Sequence, residues 1–319
     1  MDVIVLAGGF GTRLRPWTEG RAKPLLPLLD KTLLERVVEA VPFEMVDRVV
    51  VAAGYGIDEM ESFLAGANLP YEIVLSVENE AMGTGGAVAL ARQHLSGQGP
   101  VLVLNGDLIS SVDVTALVVH HAATGAKATL SLWEVEDPSR FGVCDLDESG
   151  MIGRFQEKPE PGTEFSNLIN AGCYLIERDV LNGLSSDKHS MEREVFPDLA
   201  EAGGMAGLAF TGYFVDAGTP ESFIEAAQVC IANGRYDSGH VEDDSWFGKG
   251  SNCIGAAHSS SIGQGCNIEE GASVSDCVIL SEANIGTGAR LDGCLVGQGA
   301  NVAPDSNYSG LVIGHGASV

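Results

Sequence analysis

Lysine is scarce in this chain. Of 18 cationic side chains in 319 residues, 6 are Lys and 12 are Arg, against 44 Asp and Glu, so the formal net charge is −26. Such a surface repels phosphodiester backbones and anionic lipid, so neither nucleic acid nor a membrane is expected as a partner. It also suits high internal salt, an expectation that melting curves in low and molar KCl would test. No apolar run approaches the ~20 residues of a membrane-spanning helix. The N-terminus enters an apolar strand with no basic region or cleavage site before it, so no secretory leader is expected. The 7 cysteines show no Cys-x-x-Cys spacing, which argues against a disulfide framework and against a zinc site. Cys253, Cys266, Cys277 and Cys294 read as small core fillers, and reduced thiols imply a cytoplasmic protein. None of the 7 histidines lies near a nucleophile motif, and His120-His121 reads as a solvated or packing pair on a helix.

What is present is enough for a large domain and a smaller one: 45% of residues are hydrophobic. Strand runs and amphipathic stretches alternate through the first two thirds. Val3–Ala7, Arg48–Ala53, Ile73–Val77, Val101–Leu104 and Ala128–Glu134 read as strands. Thr32–Val41, Asp58–Leu64, Thr84–Leu95 and Val114–Ala123 read as helices, the last capped by Asp113. Near-continuous β-branched strands are those of a sheet covered on both faces, a doubly wound α/β domain. Gly142–Leu146 and Ile152–Phe155 read as a hairpin folded back over that sheet. Cys173–Ile176, Asp179–Leu184, Tyr213–Asp216 and a closing helix at Glu221–Asn233 complete the domain, expected over residues 1–236.

Residues 237–319 are written differently. Aromatics almost vanish and aliphatics recur six apart: Ile262, Ile268, Val274; Ile279, Ile285, Leu291; Val296, Val302; Ile313, Val319. Ile-Gly-x-Gly begins at Ile262, Ile285 and Ile313, and Val296 opens a similar run. This period marks a parallel β-helix of hexapeptides with about four coils. Solenoid ends need covering, so association of copies through this domain is expected.

The first strand runs into Leu6-Ala7-Gly8-Gly9-Phe10-Gly11-Thr12-Arg13-Leu14-Arg15-Pro16. Three glycines allow close backbone approach to phosphate oxygens, and arginine supplies a forked donor. The loop is not a Walker loop, because no Lys-Ser/Thr follows in register. Nor is it a dinucleotide fingerprint, because Leu14 stands where the third glycine belongs. With Lys23-Pro24 downstream, the run resembles the signature of sugar-1-phosphate nucleotidylyltransferases, and later segments match in order over nearly the whole chain. Ala22 stands where that family usually has proline, and Asp30-Lys31-Thr32 replaces a usual Lys-Pro pair.

The resemblance implies a Rossmann-like mixed sheet followed by a left-handed β-helix. It implies transfer of a nucleotidyl group from a nucleoside triphosphate to a sugar 1-phosphate with Mg²⁺. Leu6, Ala7, Gly8, Gly9, Gly11, Thr12, Arg13 and Lys23 would hold the nucleotide phosphates. Asp107 and Asp216, each ending a strand, would hold Mg²⁺. Glu78-Asn79-Glu80-Ala81-Met82-Gly83-Thr84 resembles the base-recognition segment of mannose-1-phosphate guanylyltransferases. Glu78 there offers an acceptor to guanine, Gly83 gives space, and Thr84 also suits a helix cap. Gly142, Glu157, Lys158, Asn170 and Gly172 would form the sugar-phosphate pocket. Arg13, Lys23, Asp107, Lys158 and Asp216 are thus the expected catalytic set. Ser190-Met191-Glu192-Arg193-Glu194 also resembles a segment of guanylyl-type members. GTP with mannose 1-phosphate is the expected pair. Glucose 1-phosphate with UTP or dTTP, and a heptose 1-phosphate, are alternatives. A silent nucleotide-sugar-binding subunit is the rival from another class, and the presence of Arg13, Asp107 and Asp216 favours the enzyme. An acyltransferase role for His258 is set aside, because about four coils seldom make an acyl-donor site.

Overall fold

The computed structural model describes residues 1–67 and 69–319. Its contacts group them into two units, Met1–Gly9 with Val37–Phe214 and Phe10–Arg36 with Val215–Val319. The first unit is built on nine strands: β1 Asp2–Leu6, β2 Arg48–Ala53, β3 Glu72–Val77, β4 Val101–Asn105, β5 Ala128–Glu134, β6 Gly142–Leu146, β7 Ile152–Glu157, β8 Leu168–Ile176 and β9 Met205–Ala209. Their order is β7-β6-β8-β4-β1-β2-β3, with β5 pairing both β8 and β9. β1, β2, β3 and β4 run parallel, whereas β8 is antiparallel to β4 and β5. The sheet is therefore mixed, as expected.

The helices are α1 Leu33–Val38, α2 Ile57–Gly66, α3 Gly83–Ala91, α4 Val114–Thr124, α5 Arg178–Gly183, α6 Phe196–Glu201 and α7 Pro220–Ala232. Ile4, Val50, Val103, Leu130, Tyr174 and Phe196 meet in one buried cluster of the first unit. Asp113 caps α4, its carboxylate accepting from the Ala116 N–H at 2.9 Å. α7 starts on a reciprocal Thr219–Ser222 box, with Pro220 in its first turn.

Two expectations change, one strand was not foreseen and one histidine is resolved as packing. The hairpin β6–β7 does not lie over the sheet; it extends the sheet edge, through Ile169 of β8 paired with Val143 of β6. The helix expected from Thr32 starts at Leu33, because Thr32 closes a capping box: its N–H and hydroxyl donate to Glu35 Oε2 at 2.8 and 2.7 Å, and Glu35 N–H returns to its hydroxyl. Lys31–Thr32 pairs instead with Pro27–Leu28. Strand β9 had no expectation at all. Its Gly207 weakens strand propensity, yet a Cβ there would come within 2.5 Å of Leu132 and 3.1 Å of Ile152. His121, read as half of a solvated or packing pair, is buried between Thr129 and Glu177.

In the second unit three faces of short parallel strands form the β-helix. One face stacks Ser245–Phe247, Ser261–Ile262, Val278–Ile279, Leu295–Val296 and Val312–Ile313. Phe247 pairs with Ile262, a step of 15 residues; Ile262 then pairs with Ile279, Ile279 with Val296 and Val296 with Ile313, so each later coil advances 17 residues. Two hexapeptides and one pentapeptide therefore make a turn, which is why Val274 and Ile279 are only five apart. In Ile262-Gly263-Gln264-Gly265 the glycines do different work. A Cβ on Gly263 would lie 2.6 Å from Ser281 N of the next coil, and Gly265 turns the corner at φ +67°. Cys266, Cys277 and Cys294 fill the interior, but Cys253 is only partly covered.

Candidate active site

Parallel strands β1 and β4 end side by side, and their carboxyl ends open into a cavity of about 300 Å³. It is lined by Leu6, Gly8, Gly9, Glu78, Ala81, Gly83, Thr84, Ala87, Asn105 and Asp107. Seven of these were expected from the sequence. Ala7 is not on the wall; it is 7% exposed and its N–H donates to Ala52 O at 2.8 Å. Gly106 lets the Asp107 turn close on β1, since a Cβ there would sit 2.7 Å from Leu6 O.

Glu78 gives the cavity its electrostatic character. It is 7% exposed, and its Oε2 accepts from Met82 N–H at 3.2 Å. A Cβ on Gly8 would lie 2.8 Å from Oε1, so glycine at that point leaves room for the carboxylate. Burial raises the Glu78 pKa above its ordinary value, and the Met82 bond only partly opposes this.

Thr84 does not cap α3. Its hydroxyl donates to Glu192 Oε2 at 2.5 Å and accepts from Met191 N–H at 2.9 Å. Ser190 donates to the same Glu192 oxygen at 2.7 Å. Gly83, Gly85 and Gly86 let the helix press against the His189 segment, whose carbonyl accepts from the N–H groups of Gly85 and Gly86 at 3.1 and 3.3 Å.

A second, open cleft of about 510 Å³ is lined by Phe155, Gln156, Glu157, Lys158, Glu192, Arg193 and Pro197. Lys158 Nζ pairs with Glu157 Oε1 at 3.2 Å, and Lys158 holds the left-handed conformation at φ +46°. Such strain in a non-glycine residue concentrates at functional sites. Gly142 faces the same carboxylate, at 3.1 Å between a built Cβ and Glu157 Oε2. Asn170 Oδ1 accepts from Gly172 N–H at 3.0 Å, and Gly172 lies against Asn105. Gly142, Glu157 and Lys158 are thus together, whereas Asn170 and Gly172 are not on the cleft wall; Gly172 belongs to a small pocket with Asn105 and Leu108.

The second unit holds the rest of the glycine loop. Gly11 sits at φ +59° and leads into the turn Thr12–Leu14. A Cβ on it would lie 2.9 Å from Thr18 and 3.1 Å from Lys23. Lys23 is 8% exposed. Arg13 and Asp216 converge on Gly218, where a built Cβ would be 2.5 Å from Arg13 Nη2 and 2.8 Å from Asp216 Oδ1. The two carboxylates expected to share a metal, Asp107 and Asp216, fall in different units. The Asp30-Lys31 departure has a structural account. Asp30 pairs with Arg36 and accepts from the N–H groups of Asp237 and Ser238 at 2.8 and 2.6 Å, and Lys31 pairs with Asp237 at 2.6 Å.

Sequence reasoning passed over Asn105, which lines two pockets, and gave Glu192 and Arg193 of the cleft no role beyond the resemblance of their segment to guanylyl-type members. Asn105 could have been found as a polar residue ending an apolar strand. The contact Glu192 makes could not, because it runs to Thr84, 108 residues away.

With a glycine loop, a buried acceptor and a strand-end carboxylate around one cavity, the class is defined: the chain belongs to the nucleotidyl transferase family, matched over residues 2–232. Residues 227–316 match the GlmU-like C-terminal hexapeptide family. Among similar proteins, mannose-1-phosphate guanylyltransferase 1 of Arabidopsis thaliana is 33% identical over 296 residues, 88% of this chain and 81% of that protein. The probable mannose-1-phosphate guanylyltransferase 1 of Oryza sativa subsp. japonica is 35% identical, covering 89% and 82%. HddC from Yersinia pseudotuberculosis, solved also in complex with GMP-PN, superposes with a TM-score of 0.60 at 27% identity, over 71% of this chain and 97% of that one.

Proposed function

We propose that this chain transfers a guanylyl group from GTP to mannose 1-phosphate, forming GDP-mannose and pyrophosphate. The observation that carries the choice of base is Glu78, a buried acceptor in the cavity wall. Guanine offers donors at N1 and N2, and a carboxylate can accept both. The names of the plant relatives point to the same reaction.

A phosphate oxygen of the sugar phosphate attacks the α-phosphorus in line, and the bond to the β-phosphate bridging oxygen breaks as pyrophosphate leaves. No covalent enzyme intermediate is needed. Leu6, Gly8, Gly9, Gly11 and Thr12 contribute the cradle, Lys23 holds the nucleotide phosphates, and Arg13 offsets charge on the leaving pyrophosphate. Lys158 takes the phosphate of the sugar, Glu157 its hydroxyls, and Gly142 leaves space. Thr84 and Gly83 shape the base end.

Asp107 and Asp216 are the residues that would hold Mg²⁺. Among the described residues, no group of three or more His, Cys, Asp or Glu could hold a metal by itself. Mg²⁺ takes one or two carboxylates and completes its shell with water and substrate phosphate. When bound, it neutralises phosphate charge. No described helix is long and apolar enough to cross a membrane, and the acidic surface keeps nucleic acid from the list of partners. The hexapeptide domain supports association of copies, which light scattering measures.

The test is pyrophosphate release over a grid of GTP, UTP, dTTP and ATP against mannose, glucose and heptose 1-phosphates with Mg²⁺. Fastest turnover with GTP and mannose 1-phosphate is expected. Turnover with no pair sinks the enzymatic reading; preference for a pyrimidine sinks the role of Glu78.

A further inference from the structure

The residues that follow the glycine loop are tied to the last coil of the β-helix, within the second unit. Trp17 is fully buried. Its indole N–H donates to Ile313 O at 2.9 Å. The His315 ring stacks on it, with centroids 6.0 Å apart and planes at 22°. His315 Nδ1 accepts from Gln298 N–H at 3.0 Å, which places the ring proton on Nε2. Nε2–H therefore donates to Trp17 O at 3.1 Å. Pro16 lies against Gly314, 3.3 Å from a Cβ built there, and Arg21 reaches Gln298 Oε1 at 3.5 Å.

From Trp17 the contacts run toward the expected phosphate-binding groups by two routes. Along the chain, Trp17 N–H donates to Leu14 O and Leu14 N–H to Gly11 O, at 3.0 and 2.9 Å. Thr18 Oγ1 closes on the same Gly11 O at 2.9 Å. Arg13 is inside that turn, and Lys23 packs on Gly11. Across space, Trp17 meets Phe223 of α7 edge-on at 5.7 Å. Thr219, which caps α7, follows Gly218, the point on which Arg13 and Asp216 converge.

We propose that the last coil of the β-helix positions the nucleotide loop, with Trp17 and His315 as the positioning residues that set Arg13 and Lys23. The smaller domain is then part of the transferase machinery rather than only an assembly module. A phosphate-binding arginine on an exposed turn needs its backbone fixed from outside, and a misplacement of about 1 Å costs on the order of 100-fold in rate. A buried indole bond and a two-ended imidazole bridge supply that fixing. This rests on the reading of Arg13 and Lys23 as phosphate ligands.

The test uses the full chain and two readouts. His315→Ala removes the bridge; His315→Gln keeps it, since the amide oxygen can accept from Gln298 N–H while the NH₂ donates to Trp17 O. Hydrogen–deuterium exchange of residues 10–26, without substrate, should accelerate in His315→Ala and return to the parent rate in His315→Gln. In steady-state kinetics, kcat should fall about tenfold in His315→Ala, with both KM values within about twofold, and recover in His315→Gln. Trp17→Phe, which keeps the ring and loses the indole N–H, should move both readouts in the direction of His315→Ala. Unchanged exchange in His315→Ala overturns the proposal, as does a His315→Gln protein that is no better than the alanine variant. Because exchange needs no substrate, a chain that turns over no sugar phosphate would refute the proposed activity and leave this result readable.

Discussion

Asp30, in the loop of the second unit, and Glu78, in the cavity wall of the first, are both carboxylates held nearly out of water. Their surroundings push them in opposite directions. Asp30 is 9% exposed, and burial alone would raise its pKa. The N–H groups of Asp237 and Ser238 and the charge of Arg36 outweigh that and hold it below the ordinary 3.8. Glu78 is 7% exposed, and among the described residues the bond shown to it comes from Met82, so burial prevails and its pKa is raised. A carboxylate whose donors the protein supplies is finished as structure. One buried with a single such donor is, in the proposed function, left to accept from a ligand.

The largest expected effect tests the structural half of that contrast. Asp30→Asn leaves Arg36, 1% exposed, facing a neutral amide, and should cost about 3–5 kcal/mol of stability in denaturant titrations at neutral pH. The sign with pH follows from the lowered pKa. The contribution is complete above 3.8 and is lost as pH falls through the depressed value, so wild type and variant should converge in acid. A variant as stable as the parent at pH 7 would break the comparison on this side.

Asp107 belongs with Glu78, since it lines the same cavity. Asp107→Asn should lower kcat by about 10²–10³ while the melting temperature stays unchanged, the reverse of the Asp30 profile. Full activity in Asp107→Asn would remove it from the metal set.

The contrast also shows where sequence reading reached its limit. β2 and β5 were legible because all their pattern needs is an apolar run, and the Asp113 cap because a cap is local. The strand-end carboxylates followed from the same runs. Asp30 looked like a departure from a family pattern, and its explanation lies 207 residues away at Asp237. The glycine loop told of close approach but not of what approached: Gly8 makes room for Glu78. In the β-helix the period was plain, whereas the 17-residue coil emerged only from the strand pairing. Thr84 was read at the base end and as suiting a cap; no local feature announces Glu192, 108 residues away, as its acceptor.

A smaller effect sharpens the ligand-facing half. Glu78→Gln keeps the shape of the side chain but gives up the charge that accepts two guanine donors. The KM for GTP should rise about 10- to 100-fold, with the loss for UTP much smaller. The pH dependence has a definite sign. Because the folded carboxyl has a raised pKa, the unfolded chain ionises first, and the free protein loses stability as pH rises above 4.5 through the folded value. Guanine needs the ionised form, so GTP affinity should climb over that same rise. Glu78→Gln should abolish both slopes and raise the melting temperature of the free protein at neutral pH. A GTP affinity that stays flat with pH in the parent would break the assignment.

The smallest effect carries the comparison to uncharged groups. Along one face of the β-helix, Asn252 donates to Asn267 and Asn267 to Asn284, each at 2.9 Å. Like Asp30, these amides are satisfied by the protein, but they are not sealed from water: Asn252 is exposed and Asn267 and Asn284 are half-buried. Removing Asn267 leaves its neighbours free to bond solvent, so Asn267→Ala should cost no more than about 1 kcal/mol. Ile285, one coil further and fully buried, supplies the control: Ile285→Ala should cost about 2–5 kcal/mol in the same titration. Were Asn267→Ala to match Ile285→Ala, satisfaction by the protein would matter more than exclusion of water, and Asp30 would owe its weight to its donors rather than to burial.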